Sequence, residues 1–385
     1  MNVFFLASWY PDRKNPSLGI FIRRHAQAAA LKNDVTVLHC RAEEDMKEGE
    51  FRLEKKAEGN FRELILHYGK STKGGGLLRS WRNWKLLKKH YNFGFEKAVE
   101  WSGKPDLLHL NVPWPLGKIT RNLAKENKIP YVISEHWTGY YPEDGRYAGN
   151  LLKMITRSAV KNAALVLPVS QKLQKVMESH GLAGNYEVLG NVADTEVFKP
   201  SGQKIRVTRF IHVSSLDDKQ KNVTGLLKAF SIAKKKEPSL ELFIIGHGNN
   251  ETAIRKVSNE LSLTKRGVEF HGYKEGEDLA NEFSHCCALV LNSRYENQPV
   301  VMLEAFAFGL PVIAPDIGGI AEILNEERGI LFKEGSQEEL VAALLKFHSD
   351  REKYHSAEII NYAVKNFSFE AIGEKLNQIY KSVKP

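Results

Sequence analysis

The feature that most constrains the fold is a repeated alternation of short apolar runs with longer amphipathic segments along the 385 residues. In the first half, the apolar runs predict strands at 2–7, 34–39, 63–68, 106–110, 131–134, 164–168 and 186–189. The amphipathic segments between them predict helices at 19–31, 77–101, 116–127, 149–162 and 171–180. Strands separated by helices are typical of βαβ units that build a mainly parallel sheet.

The same alternation restarts after a turn-rich bridge at 190–204. It predicts strands at 208–214, 240–246, 268–272, 288–292, 311–314 and 329–332. Helices are predicted at 223–236, 252–261, 277–285, 299–308, 317–324, 337–348, 351–366 and 369–383. The chain is therefore expected to be an α/β protein with two Rossmann-like, doubly wound domains that meet near residue 195. Ligands in such domains bind beyond the carboxyl ends of the strands, so two facing domains predict a cleft.

The composition indicates a water-soluble protein of a reducing compartment. Hydrophobic residues make up 42% of the chain and charged residues 26%, as in globular proteins. No apolar run approaches the roughly 18 residues that a transmembrane helix needs, and residues 1–8 lack the basic leader of a signal peptide. The three cysteines have neither a disulfide framework nor a metal-binding spacing, which favours a cytoplasmic location.

The positive charge is concentrated in one predicted helix. The net charge is +9, which allows nucleic acid, an anionic membrane or a phosphorylated substrate as a partner. Residues 64–95 contain no acidic side chain, and lysines and arginines there alternate with Trp81, Trp84 and Tyr91. A basic, aromatic amphipathic helix favours peripheral contact of residues 70–91 with an anionic membrane surface. The alternative is a half-buried helix with one solvated face. No nucleic-acid-binding module is recognised, so no nucleic-acid partner is expected.

Two carboxylates, Glu296 and Glu304, lie on either side of a predicted helix start with seven residues between them. Pro299 suits the first helical position. One of the two preceding residues, Asn297 or Gln298, would then cap the helix. The free N–H groups of the first turn then form an anion site between the carboxylates. This arrangement fits a nucleotide sugar, which has hydroxyls at both ends and a diphosphate in the middle. The spacing alone also fits an ordinary capped helix with two solvated glutamates.

The order of several short motifs in the second half decides between these interpretations. The motifs occupy residues 243–248, 268–273, 288–296, 303–314 and 318–322. In this order and spacing, the chain resembles the donor domain of the retaining glycosyltransferases of family 4, which have the GT-B fold. The resemblance is strong over 186–332 and rests mostly on layout before that. It implies an acceptor-binding domain at 1–194, a donor-binding domain at 195–366 and a C-terminal helix at 367–385 that packs back on the first domain.

The resemblance also implies roles for individual residues of the second domain. Glu296 would contact the donor sugar and Glu304 the ribose hydroxyls. The loop between them, with Gln298, Pro299, Val300 and Val301, would contact the sugar and the diphosphate. Gly246, in the glycine-rich turn after a strand, would also lie at the donor.

Residues 213–222 match the diphosphate-binding motif of the family with one departure. Lys221 matches the usual lysine, but Ser215 stands where an arginine is expected. Lys219 is near enough in the sequence to replace that arginine in part. A lysine beside the diphosphate would neutralise charge as the leaving group departs. Alternatively, Lys219 is a solvated loop charge.

Two first-domain residues complete the predicted site. His136 follows a strand and matches a position near the reacting sugar, although a strand-end histidine is also commonly structural. Gly19 resembles the glycine loop near the donor phosphates, where the family often has two glycines. No Asp-x-Asp motif and no metal-ligand spacing occur, so a metal-independent reaction without a cofactor is expected.

Together these features predict a retaining glycosyltransferase of the hexosyltransferase type. It would move a sugar from a nucleotide-sugar donor to a saccharide or lipid-linked acceptor, in the synthesis of a surface polysaccharide or glycolipid. The alternatives are a nucleotide-sugar epimerase or hydrolase on the same fold, or a non-catalytic nucleotide-sugar sensor, which the serine at position 215 favours. The sequence leaves open the base, the sugar, the acceptor and the oligomeric state.

Overall fold

A computed structural model describes residues 1–12, 16–200, 207–264 and 267–383. The first sheet has the strand order β3-β4-β2-β1-β5-β6-β7. Its strands are β1 (Asn2–Ala7), β2 (Asp34–Glu43), β3 (Phe51–Glu58), β4 (Phe61–Gly69), β5 (Leu107–Asn111), β6 (Tyr131–Glu135) and β7 (Leu165–Pro168). All neighbouring pairs are parallel except β3 with β4, which form an antiparallel edge.

Helices cover both faces of this sheet. They are α1 (Ile20–Ala30), α2 (Gly76–Ser102), α3 (Pro113–Asn127), α4 (Asn150–Asn162) and α5 (Gln171–Ser179), with a 3₁₀ turn at Thr138–Tyr140. Side chains of α2, α3, α4 and α5 form one core with the sheet, and α1 contributes to the core on the opposite face. Burial on both faces explains why the strands read as continuous apolar runs.

The second sheet is entirely parallel, with the order β10-β9-β8-β11-β12-β13. Its strands are β8 (Arg209–Ser214), β9 (Glu241–Gly246), β10 (Val268–Gly272), β11 (Ala288–Val290), β12 (Val312–Pro315) and β13 (Gly329–Phe332). Its helices are α6 (Asp218–Lys221), α7 (Val223–Lys236), α8 (Glu251–Glu260), α9 (Gly276–Phe283), α10 (Val300–Phe308), α11 (Gln337–Asp350) and α12 (Ser356–Phe367), with a 3₁₀ turn at Arg351–Lys353. Separate apolar cores lie on the two faces.

The last helix, α13 (Phe369–Ser382), returns to the first domain. Gly373 packs so closely on α1 that a Cβ there would lie 2.4 Å from the Ala28 carbonyl oxygen. The Tyr380 hydroxyl lies 2.7 Å from His109 Nδ1, and Tyr380 belongs to the core on the α1 face of the first sheet. Residues 384 and 385 of the predicted C-terminal unit lie outside the described residues.

Two predicted elements are wrong, and one strand was not predicted. Residues 317–324 form turns rather than a helix, and 186–189 contribute one isolated bridge, Val166 with Tyr186, instead of a strand. The antiparallel strand β3 is absent from the prediction because nearly all of it is exposed at the sheet edge and lacks an apolar pattern. Residues 201–204 of the predicted bridge lie outside the described residues.

Helix α2 is buried only in its second half, from His90 onward. Residues 72–81 are all exposed, including Leu77 at 90% and Trp81 at 52% exposure. Trp84 and Leu87 are half-buried, and Leu87 packs against the core that α2 shares with α3, α4 and α5. The helix therefore projects its first turns from the domain. In the described part of the chain, no helix combines the length and apolar character needed to span a bilayer.

Candidate active site

A cleft of about 2000 Å³ lies between the two domains at the carboxyl ends of their strands. Nine of the eleven predicted site residues line it: His136, Lys221, Gly246, Glu296, Gln298, Pro299, Val300, Val301 and Glu304. Gly19 and Lys219 are not part of the lining. The fold thus brings residues from distant strand ends to one cavity, as expected for facing doubly wound domains.

Glu296 and Lys221 form an ion pair in the wall of the cleft. Their side chains are 8% and 18% exposed, and Ser293 Oγ donates a 2.9 Å hydrogen bond to the same Glu296 oxygen. Lys221 ends the short helix α6, directly after β8. When a ligand binds, the carboxylate of such a pair can accept a hydrogen bond from a sugar hydroxyl, and the ammonium group can pair with an anionic leaving group.

Arg294 ties the loop of Glu296 to helix α6, which carries Lys221, a role that the sequence prediction missed. Its guanidinium donates to the carbonyl oxygens of Asp218 and Lys219 at 2.7 and 2.8 Å, and to Asn222 Oδ1 at 2.8 Å. Its backbone N–H donates to the Gln220 carbonyl at 2.8 Å. The position of this arginine, two residues before the predicted site residue Glu296, was the only indication of this role in the sequence.

The start of α10 differs from the prediction in its cap. Pro299 is the N-cap and the helix begins at Val300, without a side-chain cap. The predicted caps bind the first domain instead. Asn297 Nδ2 donates to the His136 carbonyl at 2.7 Å, and Gln298 Oε1 accepts from the Asn191 N–H at 2.6 Å.

The amides of this helix start remain available to a ligand. Met302 N–H donates to the Pro299 carbonyl at 3.1 Å, so it is satisfied within the first turn. The N–H groups of Val300 and Val301 have no acceptor in the described part of the chain. Open amides at a helix N-terminus attract an anion such as a phosphate.

Glu304 also lines the cleft and is paired with the first domain. Arg24 Nη2 of α1 lies 2.7 Å from Glu304 Oε1, and both side chains are nearly buried, at 11% and 9% exposure. The two predicted carboxylates therefore differ in their partners. Glu296 is paired within the second domain, whereas Glu304 is paired across the cleft.

His136 has one buried ring nitrogen without a hydrogen-bond partner in the described part of the chain. Its Nδ1 lies 3.1 Å from Asn191 Oδ1, and because Asn191 Nδ2 donates to the Gln298 carbonyl, this contact assigns the proton to Nδ1. Burial lowers the pKa of His136 well below its usual value, and the nearby His25 and His109 lower it further. His136 Nε2 is therefore a buried acceptor that has no partner within the described residues, in a side chain that belongs to the cleft lining.

Glu135 shapes the loop that carries His136 and was not singled out in the sequence. One carboxylate oxygen accepts from the N–H groups of His136 and Trp137, each at 2.8 Å, and the other accepts from the Tyr140 hydroxyl at 2.8 Å. Burial raises the pKa of Glu135 to about 7, against the opposing effect of these three donors. Its position directly before His136, at the end of a predicted strand, was the indication of this role in the sequence.

Two glycines allow the backbone to pass close to the site. Gly318 has a φ of +51°, and a Cβ there would lie 1.8 Å from the Glu296 carbonyl oxygen. Gly246 ends β9 with a φ of +139°, and a Cβ would lie 1.8 Å from the Ser214 carbonyl oxygen. Both positions therefore require glycine.

Gly19 and Lys219 lie outside the cleft lining, and their predicted roles stay predictions. Gly19 is the left-handed N-cap of α1 and packs against the Trp9 backbone, where a Cβ would lie 2.8 Å away. Its neighbours Ser17 and Ile20 line the cleft instead. Lys219 Nζ lies 3.4 Å from the Asp144 carbonyl, so it does not stand beside Ser215 in the lining as a substitute for the missing arginine.

No group of three or more His, Cys, Asp or Glu side chains within the described ranges is arranged to hold a metal ion. Lys221 and Arg24 line this cleft beside the α10 amides, and six further cations belong to the same lining: Arg23, Arg41, Arg52, Lys55, Lys56 and Lys274.

Comparison with known proteins agrees with this layout. The family model described as Glycosyltransferase Family 4 matches residues 9–197, and that described as Glycosyl transferases group 1 matches residues 196–366. The sulfoquinovosyl transferase SQD2 of Arabidopsis thaliana is 27% identical over 288 residues, which cover 68% of this chain and 53% of that protein. The lipopolysaccharide 1,6-galactosyltransferase of Escherichia coli is 27% identical over 199 residues, covering 49% of this chain and 54% of that protein.

The chain thus spans about half the length of these curated relatives. Among solved structures, Anabaena HepE in complex with UDP superposes with a TM-score of 0.72 at 18% identity, covering 99% of this chain and 100% of that one. The two family models meet at the boundary between the two sheets and together match nearly the whole sequence. The chain therefore belongs to glycosyltransferase family 4 and has the GT-B fold.

Proposed function

We propose that the protein is a retaining hexosyltransferase that moves a sugar from a nucleotide-sugar donor to a saccharide or lipid-linked saccharide acceptor. The observation that carries this proposal is the placement of Glu296 and Glu304 on either side of the open α10 amides, with Lys221 beside Glu296 in the same cleft. This arrangement fits the three parts of such a donor. The UDP bound to the HepE relative in fold supports a nucleotide as part of the ligand.

In this proposal each part of the donor has its own partner. The ribose hydroxyls bind Glu304, the diphosphate binds the amides of Val300 and Val301, and the sugar binds Glu296. Lys221 shifts from Glu296 to the diphosphate and neutralises its charge as the bond to the sugar breaks. Glu296, freed from the ion pair, then accepts hydrogen bonds from the sugar.

The acceptor enters from the first domain, next to His136. The proposed retention follows from front-face attack, in which a phosphate oxygen of the departing nucleotide takes the proton of the acceptor hydroxyl. Closure of the cleft around the donor excludes water and protects the donor from hydrolysis. No protein nucleophile and no metal ion is required in this scheme.

The proposal is tested by a thermal-shift panel of UDP-, GDP- and ADP-sugars, followed by mass spectrometry and anomeric proton NMR of the products. One donor is expected to raise the melting temperature, and an acceptor-dependent product should keep the anomeric configuration of the donor. An epimerised donor, or acceptor-independent hydrolysis as the main reaction, would identify the alternative enzymes. Binding without release of nucleoside diphosphate with any acceptor would identify a sensor, and an inverted product would contradict retention.

We also propose that the exposed start of α2 holds the protein at an anionic membrane, where a lipid-linked acceptor would lie. The charge complements such a surface, since residues 64–95 carry seven lysines and arginines and no acid. Leu77, Leu78 and Trp81 are at least half exposed, and Lys85 Nζ lies 3.6 Å from the Trp81 ring centre. An apolar edge flanked by basic residues is the pattern of a helix lying in the membrane interface. The galactosyltransferase relative, named for lipopolysaccharide, supports synthesis of a surface glycolipid or polysaccharide.

The double variant Leu77→Ser with Trp81→Ser is expected to bind vesicles containing phosphatidylglycerol at least about tenfold more weakly, because each buried side chain contributes roughly 1.5–3 kcal/mol. Co-sedimentation measures this. Val364→Ser, at a 45% exposed apolar position of α12 in the second domain, is the matched control and should bind like the wild type. Equal binding of both variants, or equal binding of the wild type to phosphatidylcholine vesicles, would contradict the membrane proposal.

A further inference from the structure

Arg24 is a buried cation in the wall of the cleft with an unused donor. It lies on α1, is 9% exposed and lines the same cavity as the predicted donor site. Its Nη2 is paired with Glu304 at 2.7 Å. Its Nη1 is buried and has no hydrogen-bond partner within the described residues.

Such an arrangement is uncommon in a folded protein. Buried polar groups are almost always hydrogen-bonded, and leaving a buried donor unpaired costs about 1–3 kcal/mol, more for a charged group. Guanidinium nitrogens can serve two acceptors at once because their N–H groups form a rigid planar fork. An orphan N–H in a residue that lines a ligand cavity points to an acceptor carried by the ligand.

The surroundings of Arg24 indicate an anionic acceptor. The open amides of Val300 and Val301 belong to the same helix as Glu304, about one turn towards its N-terminus. Ser215, which lines this cleft, contributes a neutral hydroxyl, and Lys219 does not reach the lining. In the second domain, the charge of Lys221 is already offset by Glu296. Arg24 thus brings a cation from the first domain to the helix start that attracts anions.

We propose that Arg24 is a donor-binding residue that acts in two directions. Nη2 holds Glu304 in place for the ribose, and Nη1 donates to an oxygen of the donor's diphosphate. This inference rests on the proposed function and deepens it. Arg24 belongs to the first domain but would contact the nucleotide that the second domain binds. Donor binding and closure of the cleft are therefore coupled through this one side chain.

The test compares the phosphate contribution to binding in Arg24→Gln and the wild type. Calorimetry and competition give the affinities for UDP, UMP and uridine, or for the guanosine or adenosine series if the donor panel selects another base. The ratio of the Kd for nucleoside to the Kd for nucleoside diphosphate should fall about 10- to 100-fold in Arg24→Gln, as for loss of a charged hydrogen bond. Arg24→Lys, which keeps the charge beside Glu304 but not the fork, should give an intermediate ratio.

Lys32→Gln removes the same charge just beyond the end of α1, where Lys32 is 54% exposed, and should keep the wild-type ratio. If Arg24→Gln loses affinity for nucleoside and nucleoside diphosphate equally, Arg24 only positions Glu304 and the inference is wrong. If Arg24→Gln fails to fold, the ratio in Arg24→Lys decides, and an unchanged ratio there overturns the inference. A wild type that binds no nucleotide at all would overturn the proposed function as well.

Discussion

Sugar transfer is expected to fall about 10²- to 10³-fold when either Lys221 or Glu296 is replaced by alanine, as for removal of one charge-stabilising group from an active site. In Lys221→Ala the leaving diphosphate loses its neutralising cation, so kcat should fall most. In Glu296→Ala the sugar loses its anchor. Steady-state kinetics with the donor selected by the thermal-shift panel measure both effects.

The ion pair makes folding a necessary control for this prediction. Each single variant leaves its partner largely buried without an opposite charge, which destabilises the fold. The double variant Lys221→Gln with Glu296→Gln removes both charges together and should recover most of the lost stability while it stays inactive. Thermal unfolding followed by circular dichroism separates the two effects.

A second Lys–Glu pair of the same domain provides the matched control. Lys256 and Glu260 of α8 are 3.9 Å apart and 77% and 61% exposed, away from the cleft lining. Lys256→Ala should therefore keep wild-type turnover. Wild-type-like turnover in Lys221→Ala or Glu296→Ala would reject the roles assigned to these residues.

The fold could be predicted from sequence wherever apolar periodicity and burial agree. The strands Val268–Gly272 and Gly329–Phe332 and the helix Val223–Lys236 have the predicted bounds because each presents apolar residues to a core. The edge strand Phe51–Glu58 is specified by pairing with β4, not by its own pattern, so it escaped prediction. At 317–324 the apolar spacing favoured a helix, but Gly318 has a left-handed φ of +51°, which a right-handed helix does not contain, and the segment forms turns.

The candidate site was predictable to the extent that it lies at strand ends. The order of motifs identified Lys221, Gly246, Glu296 and the α10 start, because parallel strands bring their carboxyl ends to one edge. The partner of each carboxylate was not predictable. Arg24 contacts Glu304 only because the two domains face each other. Lys221 lies beside Glu296 where the hydrogen bonds of Arg294 hold helix α6 against the Glu296 loop. Sequence spacing carries no information on such contacts between distant segments.

The turn at Gly318 is expected to matter as much for turnover as the charged residues do, although glycine contributes no side chain to the site. Gly318→Ala would force a Cβ to within 1.8 Å of the Glu296 carbonyl oxygen, and the residue also holds a φ of +51°. Backbone shifts must relieve this overlap, and they would move the loop that carries Glu296. A displacement of about 1 Å at a reacting group can reduce turnover about 10²-fold.

Gly335 is the matched control for this substitution, because it has a φ of +73° but no atom within 4 Å of the position that a Cβ would occupy. Gly335→Ala should cost only the left-handed strain of about 1–2 kcal/mol and keep full activity. Gly318→Ala should show a larger drop in melting temperature together with a loss of turnover like that of Glu296→Ala. If the two glycine variants lose the same stability and both keep their activity, the Gly318 turn does not position Glu296.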